Sequence, residues 1–418
     1  MVGAAAEAPA EIHGLAAISR MVFEGGGELQ SLWERLVAGL DGGPEDAARL
    51  MDLSIMMLAT GNRDQGLDLQ ARALALRRLY RPRALRGGAL KVLALMAPGD
   101  FMASTPVEFL VEGCDVDLTL LYVGPGPGAS ESVPEHDVTF LAVGESAANL
   151  SLLRALEPIA SGWPHPMVNA MPRRIAELTR DGVCALLDGA PGLLAPRAAR
   201  LDRASLGRLI AGALPLDAVL PGGAFPILVR PIGSHAGTGL AKLDDLEQAA
   251  GYLDEQEGEG FYVSPFIDYS GPDGLFRKQR IALIAGRPYV CHHAISEHWM
   301  VHYLSAGMTE HAERREEEAH FMADFDAGYA VRHRAAFEAL YERIGLDYFA
   351  IDCAETRDGQ LLLFEADVAM IVHALDPPDL FPYKRPQMRK VFDAFFAMLD
   401  AKARPLGKDR STDRVQSP

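Results

Sequence analysis

The stretch LLLFEADVAM, residues 361–370, joins an apolar run to two carboxylates. The four residues from Leu361 to Phe364 predict a buried strand, and Glu365 and Asp367 follow at positions two apart. Because strand side chains alternate between the two faces of a sheet, both carboxylates lie on the same face. Two negative charges on one face of a buried strand need either a nearby positive charge or protonation of one carboxyl group to balance them.

The residues before this strand predict a hairpin that adds a third carboxylate. Asp358-Gly359 is a dipeptide favoured in two-residue hairpin turns, and such a turn would pair Arg357 with Gln360. Counting back from the turn places Asp352 opposite Glu365, and the residue two before Asp352 opposite Asp367. The other face would then carry apolar side chains, namely Phe349, Ile351, Cys353, Leu362, Phe364 and Ala366.

Three carboxylates on one face favour a bound cation. Like charges that oppose each other on a sheet are destabilising, and a buried carboxylate pair either raises the pKa of one member or binds a cation. Hard divalent cations such as Mg²⁺ take oxygen ligands. The sequence therefore predicts Asp352, Glu365 and Asp367 as metal ligands. The alternative is the solvated outer face of an ordinary hairpin.

Composition indicates a folded protein with more than one domain. The chain has 418 residues, of which 49% are hydrophobic and 23% charged. Its net charge of −17 disfavours nucleic acid and anionic membranes as partners. The four cysteines show no CxxC spacing, and neither a signal peptide nor a membrane-spanning run is visible, so a reducing cytoplasm is expected.

The order of hydrophobic patterns predicts the α/β class. Two segments with helical spacing flank Gly61-Asn62, and three short apolar strands follow at 89–98, 114–124 and 136–144 with helix-like segments between them. Farther along, 276–284 and 287–295 read as two strands joined by a turn, and 313–344 as one long helix. A further helix near 386–402 precedes a polar tail.

A glycine-rich loop follows the strand that ends at Arg230. Glycines let the backbone approach a ligand and turn N–H groups inward, which suits phosphate oxygens. Arg230 adds a permanent cation beside them. The residues predicted to hold a nucleotide here are Arg230, Gly233, Ser234, His235, Gly237, Thr238 and Gly239. Taken alone, the loop could equally be an ordinary flexible connection.

In combination, these motifs resemble the ATP-grasp superfamily, which includes glutathione synthetase and D-alanine–D-alanine ligase. The resemblance rests on ILVRPIGSHAGTGL, FYVSPFI, FRKQRIALIAGRP and FAIDCAETRDGQLLLFEADVAM. It implies a pre-grasp α/β domain followed by two α+β grasp lobes. The expected division is a helical, tetratricopeptide-like extension at 1–88, the pre-grasp domain at 89–200, a small lobe at 201–268, a large lobe with the metal site at 269–404, and a disordered tail at 405–418.

The resemblance also implies roles for single residues. Phe266, Ile267 and Asp268 would lie at the adenine end of the nucleotide, Arg280 would contact phosphate and substrate, and the three carboxylates would bind Mg²⁺. Three positions depart from the usual pattern of the family. Arg230 stands where Lys is usual, Asp367 where Asn is usual, and Ser264 or Pro265 where an acidic hinge residue is common.

A histidine-rich stretch follows the strand at 287–295. It contains His292, His293, His298 and His302. We interpret one or two of them as orienting a substrate, and a zinc site on a helix as a weaker alternative. His293 completes a predicted catalytic set with Arg280 and Lys278. Lys278 shares the strand face of Arg280 and could bind a substrate carboxylate, although a surface lysine is an equal interpretation.

These predictions favour an ATP-dependent carboxylate–amine ligase. It would use ATP and Mg²⁺, form an acyl phosphate, and release ADP and phosphate. A small-molecule kinase of the same fold and an ATP-binding regulatory or scaffold protein are the alternatives. The expected partners are a small carboxylate and an amine. A homodimer is also expected, because the N-terminal helix pair cannot bury its apolar residues alone; among these are Leu53, Met56, Met57, Leu67 and Leu74.

Overall fold

The computed structural model describes residues 8–39, 45–124, 133–234 and 237–404. His235 of the predicted loop and the predicted tail 405–418 lie outside these ranges. The chain divides into two compact units, and the α/β class predicted from the sequence is confirmed. The first unit comprises Met1–Val143, Arg154–Pro172 and Phe392–Pro418, and the second comprises Gly144–Leu153 and Arg173–Val391.

The described part of the first unit contains a mixed six-stranded sheet. Its strands are β1 (Ala10–Ile12), β2 (Leu79–Pro82), β3 (Leu90–Met96), β4 (Val116–Tyr122), β5 (Val138–Leu141) and β6 (Met167–Val168). They lie in the order β1-β2-β4-β3-β5-β6, and β3 pairs in parallel with both β4 and β5. The near-continuous apolar sequence of β3 fits a parallel strand that is buried on both faces.

The N-terminal segment shares this sheet. Helices α1 (Leu15–Glu24), α2 (Gly27–Ala38), α3 (Ala47–Ala59) and α4 (Arg63–Leu76) lie between β1 and β2 in the chain, and the short α5 (Val107–Leu110) follows β3. The predicted helix pair around Gly61-Asn62 is confirmed as α3 and α4. The predicted boundary at 88/89 differs from the structure, because β2 pairs with both β1 and β4.

The N-cap residue of helix α1 is Gly14, which has no side chain to cap the helix, so carboxylates from elsewhere in the chain accept N–H groups at this end. Glu108 of α5 accepts the N–H of Ala16 at 3.1 Å, and Asp52 of α3 accepts the N–H groups of His13 and Gly14 at 3.0 and 3.2 Å. Glu108 is only 5% exposed, and burial raises its pKa to about 7. The nearby charge of Asp52 acts in the same direction.

We expect Glu108 to make the first unit less stable as the pH rises. Its pKa is raised from 4.5 in the unfolded chain to about 7 in the fold, so the folded state holds a proton that the unfolded state releases. The resulting stabilisation is complete below pH 4.5 and is lost through pH 7. It amounts to up to roughly 3 kcal/mol at about 1.4 kcal/mol per pKa unit.

Urea unfolding of the wild type and of Glu108→Gln at several pH values between 4.5 and 8 measures this contribution. The glutamine keeps an acceptor for the Ala16 N–H but cannot ionise. The part of the pH slope due to Glu108 should therefore disappear in the variant. Equal slopes for the two proteins would contradict the prediction.

The second unit contains the remaining strands. They are β7 (Leu193–Leu194), β8 (Ala199–Asp202), β9 (Ile227–Pro231), β10 (Ala241–Leu243), β11 (Gly260–Pro265), β12 (Phe276–Ile284), β13 (Arg287–Ser296), β14 (Tyr348–Glu355) and β15 (Leu361–Asp367). In the described ranges they form a four-stranded sheet, β10-β9-β11-β8, and a five-stranded sheet, β13-β12-β14-β15-β7. The sequence placed 89–200 in the preceding domain, whereas β7 and β8 belong to these sheets.

The other helices connect or flank the strands. They are α6 (Leu150–Ser161), α7 (Pro172–Ala176), α8 (Arg180–Leu186), α9 (Arg203–Ile210), α10 (Leu216–Val219), α11 (Leu246–Glu255), α12 (Ala312–Asp324), α13 (Tyr329–Arg332), α14 (Arg334–Ile344) and α15 (Lys384–Ala403), with short 3₁₀ turns at Arg83–Leu85 and Tyr303–Ser305. The single helix predicted for 313–344 is wrong. The chain breaks at Gly328, whose backbone is far from helical (φ −101°, ψ −86°). No helix in the described ranges is long and apolar enough to cross a membrane.

The β14–β15 hairpin has the predicted pairing at its functional end. Asp352 lies opposite Glu365, and Ala350 opposite Asp367. The turn is one residue longer than predicted, because the N–H of Thr356 bonds to the carbonyl of Gln360 at 2.9 Å. A bulge at Phe364 then restores the register.

This bulge corrects part of the predicted core face. Leu362 lies opposite Ala354, and so shares the face of Asp352. Phe364 packs against Tyr269, with ring centroids 5.1 Å apart, in the same apolar cluster as Leu362. The prediction that Leu362 and Phe364 lie on the opposite face is therefore wrong, and apolar packing extends up to the carboxylates.

Candidate functional site

Four polar side chains form a straight row across the five-stranded sheet. Register places His292 of β13 beside Arg280 of β12, Arg280 beside Asp352 of β14, and Asp352 beside Glu365 of β15. Directly paired residues point to the same face of a sheet. The row therefore brings the predicted basic strand and the predicted acidic hairpin together on one surface.

Asp352 is held by both predicted cations. Arg280 donates from Nε to Oδ1 at 2.8 Å and from Nη2 to Oδ2 at 3.1 Å, and Lys278 Nζ donates to Oδ2 at 2.9 Å. The third guanidinium nitrogen of Arg280 donates to the carbonyl of Ile371 at 2.9 Å. Burial favours the neutral acid, but Arg280 and Lys278 outweigh it and hold the pKa of Asp352 well below its usual value.

Glu365 is paired with a residue that the sequence analysis missed. Arg180, the first residue of α8, forms an ion pair with Glu365 and also donates to the carbonyl of Phe364 at 3.4 Å. Thr179 fixes the start of α8 by accepting the N–H of Gly182 at 3.1 Å. Although burial acts to raise it, the pKa of Glu365 is lowered, chiefly by Arg180.

Asp367 differs from the other two carboxylates because it has no cationic partner among the described residues. Its Oδ1 accepts the N–H of Ala369 at 2.9 Å, and the residues across the sheet from it are Ala350 and then Ala282. Burial raises the pKa of Asp367 to about 7, and the charges of Glu365 and Glu145 add to the effect. A half-buried carboxyl group with no cationic partner among the described residues, beside two small side chains across the sheet, is a suitable ligand for a cation.

The three carboxylates fit Mg²⁺ in the kind of ligand atom they offer. Within the described ranges, however, no three Asp, Glu, His or Cys groups are arranged to hold a metal ion. Lys278 and Arg280 use the oxygens of Asp352, and Arg180 uses those of Glu365. A metal at these residues therefore stays a proposal, in which the ion would compete with these three cations.

The glycine-rich loop begins where β9 ends. Gly233, Gly237 and Gly239 have φ of 79°, 78° and 66°, in the left-handed region that favours glycine. The Arg230 side chain hydrogen-bonds to the loop at Ser234. Its Nε donates to the Ser234 hydroxyl at 3.2 Å, and its Nη2 donates to the Ser234 carbonyl. Thr238 is exposed at the tip. The described glycines of the loop thus adopt backbone angles that other residues rarely take, and phosphate binding by the loop stays a prediction.

A second transverse row crosses the four-stranded sheet. Arg200, Tyr262 and Arg230 lie side by side on β8, β11 and β9. Burial lowers the pKa of Arg230 to about 10, and the nearby Arg180 lowers it further, whereas Glu365 opposes the shift. Both Arg180 and Arg230 thus interact electrostatically with Glu365. This links the loop to the carboxylates within the second unit.

Phe266 and Ile267, two of the three residues predicted at the adenine end, pack against aromatic or apolar side chains. Phe266 packs edge-on against Trp299, with ring centroids 5.8 Å apart, and Lys242 Nζ lies 5.1 Å from the Phe266 ring centroid. Ile267 packs on the apolar cluster of the large sheet. Asp268 is exposed and pairs with Arg357 at 2.8 Å, and its charge also interacts with Lys242.

The structure assigns the two adjacent histidines to opposite faces. His293 lies across from Gln279 and is 3% exposed. Its ring stacks on Phe321, with ring centroids 4.2 Å apart. His293 therefore faces away from Arg280 and Asp352. The prediction of His293 as a catalytic residue is therefore corrected. His292 occupies that face instead, with its ring 4.5 Å from Tyr303. Burial holds the pKa of His292 well below its usual value.

Comparisons with known proteins give likeness in fold only. No protein-family model and no curated protein sequence matches the chain. Among solved structures, a RimK-domain ATP-grasp protein from Sphaerobacter thermophilus is 16% identical, with a TM-score of 0.40 over 74% of this chain and 99% of its own. D-alanine–D-alanine ligase from Bacillus anthracis is 13% identical, with a TM-score of 0.46 over 75% and 99%.

A third solved structure is the VanG D-Ala:D-Ser ligase from Enterococcus faecalis. It is 12% identical, with a TM-score of 0.41 over 73% of this chain and 99% of its own. One of these structures is described as an ATP-grasp protein and the other two as ligases. Each likeness extends over about three quarters of this chain, at 16% identity or less and with a TM-score below 0.5.

Proposed function

We propose that the protein is an ATP-dependent ligase that joins a carboxylate to an amine through an acyl phosphate. The observation that carries the proposal is the clamp of Lys278 and Arg280 on Asp352, beside the Arg180–Glu365 pair. With Arg230, four basic side chains gather around this face in a chain whose net charge is −17. Such a local concentration of cations suits two anionic substrates held close together.

The first step of the reaction must bring two anions together on this face. A carboxylate oxygen must attack the γ-phosphorus while ADP leaves, although carboxylate and phosphate repel each other. Lys278 and Arg280 lie on one strand face and can hold the carboxylate, while Arg180 and Arg230 can hold phosphate oxygens. An amine then attacks the acyl carbon, phosphate leaves, and the nitrogen loses a proton. The protein supplies position and charge rather than covalent chemistry.

Asp352, Glu365 and Asp367 would hold Mg²⁺, which neutralises phosphate charge when bound. Asp367 needs no rearrangement for this, since it has no cation of its own among the described residues. Arg180, which is paired with Glu365 in this structure, would exchange that carboxylate for a phosphate oxygen. Phe266 and Ile267 offer an apolar edge for a base.

Trapping with hydroxylamine tests the reaction class. The protein is incubated with magnesium, ATP, hydroxylamine and each member of a set of carboxylic acids. An acyl phosphate would give a hydroxamate, together with equal amounts of ADP and free phosphate. Glu365→Gln serves as the inactive control.

The same assay separates the two alternatives. A kinase needs only a hydroxyl acceptor, and would leave a stable phosphoryl group on its product instead of releasing phosphate. A regulatory protein would bind ATP but form no ADP with any acceptor. We prefer the ligase because a hydroxyl acceptor would not require the paired cations Lys278 and Arg280.

We expect magnesium and ATP to slow amide hydrogen exchange in the glycine-rich loop. The N–H groups of Gly233, Gly239 and their neighbours would close over phosphate oxygens, which protects them from solvent. Exchange measured by mass spectrometry should fall in peptides spanning 232–240. The Thr356–Gln360 turn, closed by its own hydrogen bonds, serves as the internal control. Unchanged exchange at 232–240 with ATP bound would contradict a phosphate role.

A further inference from the structure

His292 is the one member of the polar row on the five-stranded sheet to which the proposed reaction gives no role. It lies directly beside Arg280, on the face of Asp352. The extra residue Cys291 puts it there, because the pairing of β12 and β13 shifts between Arg280 and Ile281. Irregularities of this kind are common next to active sites, where they re-aim a side chain.

The ring of His292 makes no hydrogen bond in the described ranges, and its Nδ1 is buried. Histidines that serve the fold are bonded, as His293 Nδ1 is to Gln279 at 3.0 Å and His333 Nε2 to Glu355 at 2.8 Å. Buried polar atoms nearly always have a partner, so an unbonded one points to a role outside packing.

The surroundings of His292 keep its ring neutral. The ionisable groups that face it are Arg280 and Lys278 of β12, Asp352 of β14, Lys384 of α15 and Tyr303 of the 3₁₀ turn. Burial lowers the pKa of His292 most, the three cations lower it further, and Asp352 opposes them. The ring is therefore neutral near pH 7, and its lone pair is free to accept a proton.

The carboxylates of this face are already engaged. Asp352 and Glu365 are paired with cations, and Asp367 would hold Mg²⁺ in the proposed reaction. The ring of His302 is also without a hydrogen bond in the described ranges, but it belongs to the segment after β13 and not to the row. His292 is thus the unengaged proton acceptor beside Arg280.

We propose that His292 accepts the proton of the attacking amine, an inference that rests on the proposed ligase function and deepens it. The amine nitrogen bonds to the acyl carbon, and the bond from that carbon to the phosphate oxygen breaks. Before the amide forms, the nitrogen carries a positive charge and an acidic proton, which a weakly basic imidazole can take. The ring passes this proton to the departing phosphate, which leaves as hydrogen phosphate, and His292 becomes neutral again.

Nucleophiles of different basicity test the proposal on the full chain. The wild type and His292→Asn receive magnesium, ATP and a carboxylic acid that gives a hydroxamate, with either hydroxylamine or a panel of the standard amino acids, methylamine and ammonia. Amide formation should fall at least about 100-fold in the variant, within the range typical of losing a general base. Hydroxamate formation should change little, because the less basic nitrogen of hydroxylamine loses its proton to water more easily.

Hydroxamate formation also shows that the variant is folded, and His292→Gln provides a second variant of the same kind. His320→Asn, the same substitution at an exposed position of α12, should keep both activities. Nuclear magnetic resonance of isotope-labelled histidine gives a readout that does not depend on turnover. The ring signal that is missing in His292→Asn should report a neutral imidazole at pH 7 in the wild type.

Several results would overturn the proposal. They are a charged His292 ring at pH 7, equal losses of hydroxamate and amide in both His292 variants, no loss of either, or a selective loss of amide in His302→Asn instead. A wild type that forms hydroxamate but couples no amine would also overturn it. If the wild type forms no hydroxamate with any acid, the ligase function itself fails and the inference fails with it.

Discussion

Replacing Asp352 with alanine should destabilise the second unit by about 3–5 kcal/mol, the cost typical of removing one partner of a buried ion pair. Asp352 balances both Lys278 and Arg280. The side chain of Asp352 is 8% exposed, and those of Lys278 and Arg280 are 15% and 22% exposed. The variant leaves two cations in a poorly solvated place with no carboxylate on them. Urea unfolding at neutral pH measures the loss.

Asp326→Ala provides the matched control. Asp326 pairs with Lys390 at 3.0 Å, but the side chains are 64% and 47% exposed. Exposed ion pairs contribute about 0–1 kcal/mol, so this variant should unfold almost like the wild type. Similar losses in the two variants would show that Asp352 is not the balancing charge of this face.

The pairing of the carboxylates could be predicted because strand periodicity and turn chemistry are local. Asp358-Gly359 located the turn, and counting from it placed Asp352 opposite Glu365. The count succeeded although the turn holds one residue more than predicted, because the bulge at Phe364 compensates. The bulge places Leu362 and Phe364 in the cluster around Tyr269, a tertiary contact that counting along the strand could not predict.

The prediction that His293 faces the carboxylates was wrong because of a second strand irregularity. A regular hairpin counted from the Ala285-Gly286 turn would place His293 across from Lys278. The structure has an irregularity between Arg280 and Ile281, where Arg280 pairs with His292 and Ile281 with Val290. One extra residue, Cys291, moves His292 onto the face of the carboxylates. A shift of one residue exchanges every side chain between the two faces.

Arg180 could not have been found from the sequence. It lies 185 positions before Glu365 and reaches it only because α8 packs near the end of β15. No local pattern distinguishes Arg180 from the other arginines of the chain. Arg200 is missed likewise, since its place beside Tyr262 depends on the pairing of β8 with β11. Motifs therefore located the carboxylates, the loop and three of the cations, Lys278, Arg280 and Arg230, whereas Arg180 and Arg200 depend on tertiary packing.

Glu365→Gln should lower ADP formation at least about 100-fold while leaving the fold intact. Glutamine keeps the shape of the side chain and an acceptor for Arg180, so packing and this contact persist. What it removes is the negative charge that would help Asp352 and Asp367 hold Mg²⁺ on the phosphates. Losses of about 10²–10³ are typical when one group that stabilises transition-state charge is removed.

Nucleotide binding separates this role from a structural one. The wild type should bind ATP more tightly with magnesium than with EDTA. In Glu365→Gln that difference should shrink, while binding in EDTA stays equal or becomes tighter, since one negative charge no longer repels the phosphates.

Glu317→Gln is the matched control for this substitution. Glu317 also pairs with an arginine of β12, since Arg277 Nη2 donates to it at 3.0 Å, but it contacts His293 on the far side of the sheet. This variant loses the same charge and should keep both turnover and the magnesium dependence. Full activity in Glu365→Gln, or an equal loss in Glu317→Gln, would show that the charge of Glu365 does not act on bound Mg²⁺–ATP.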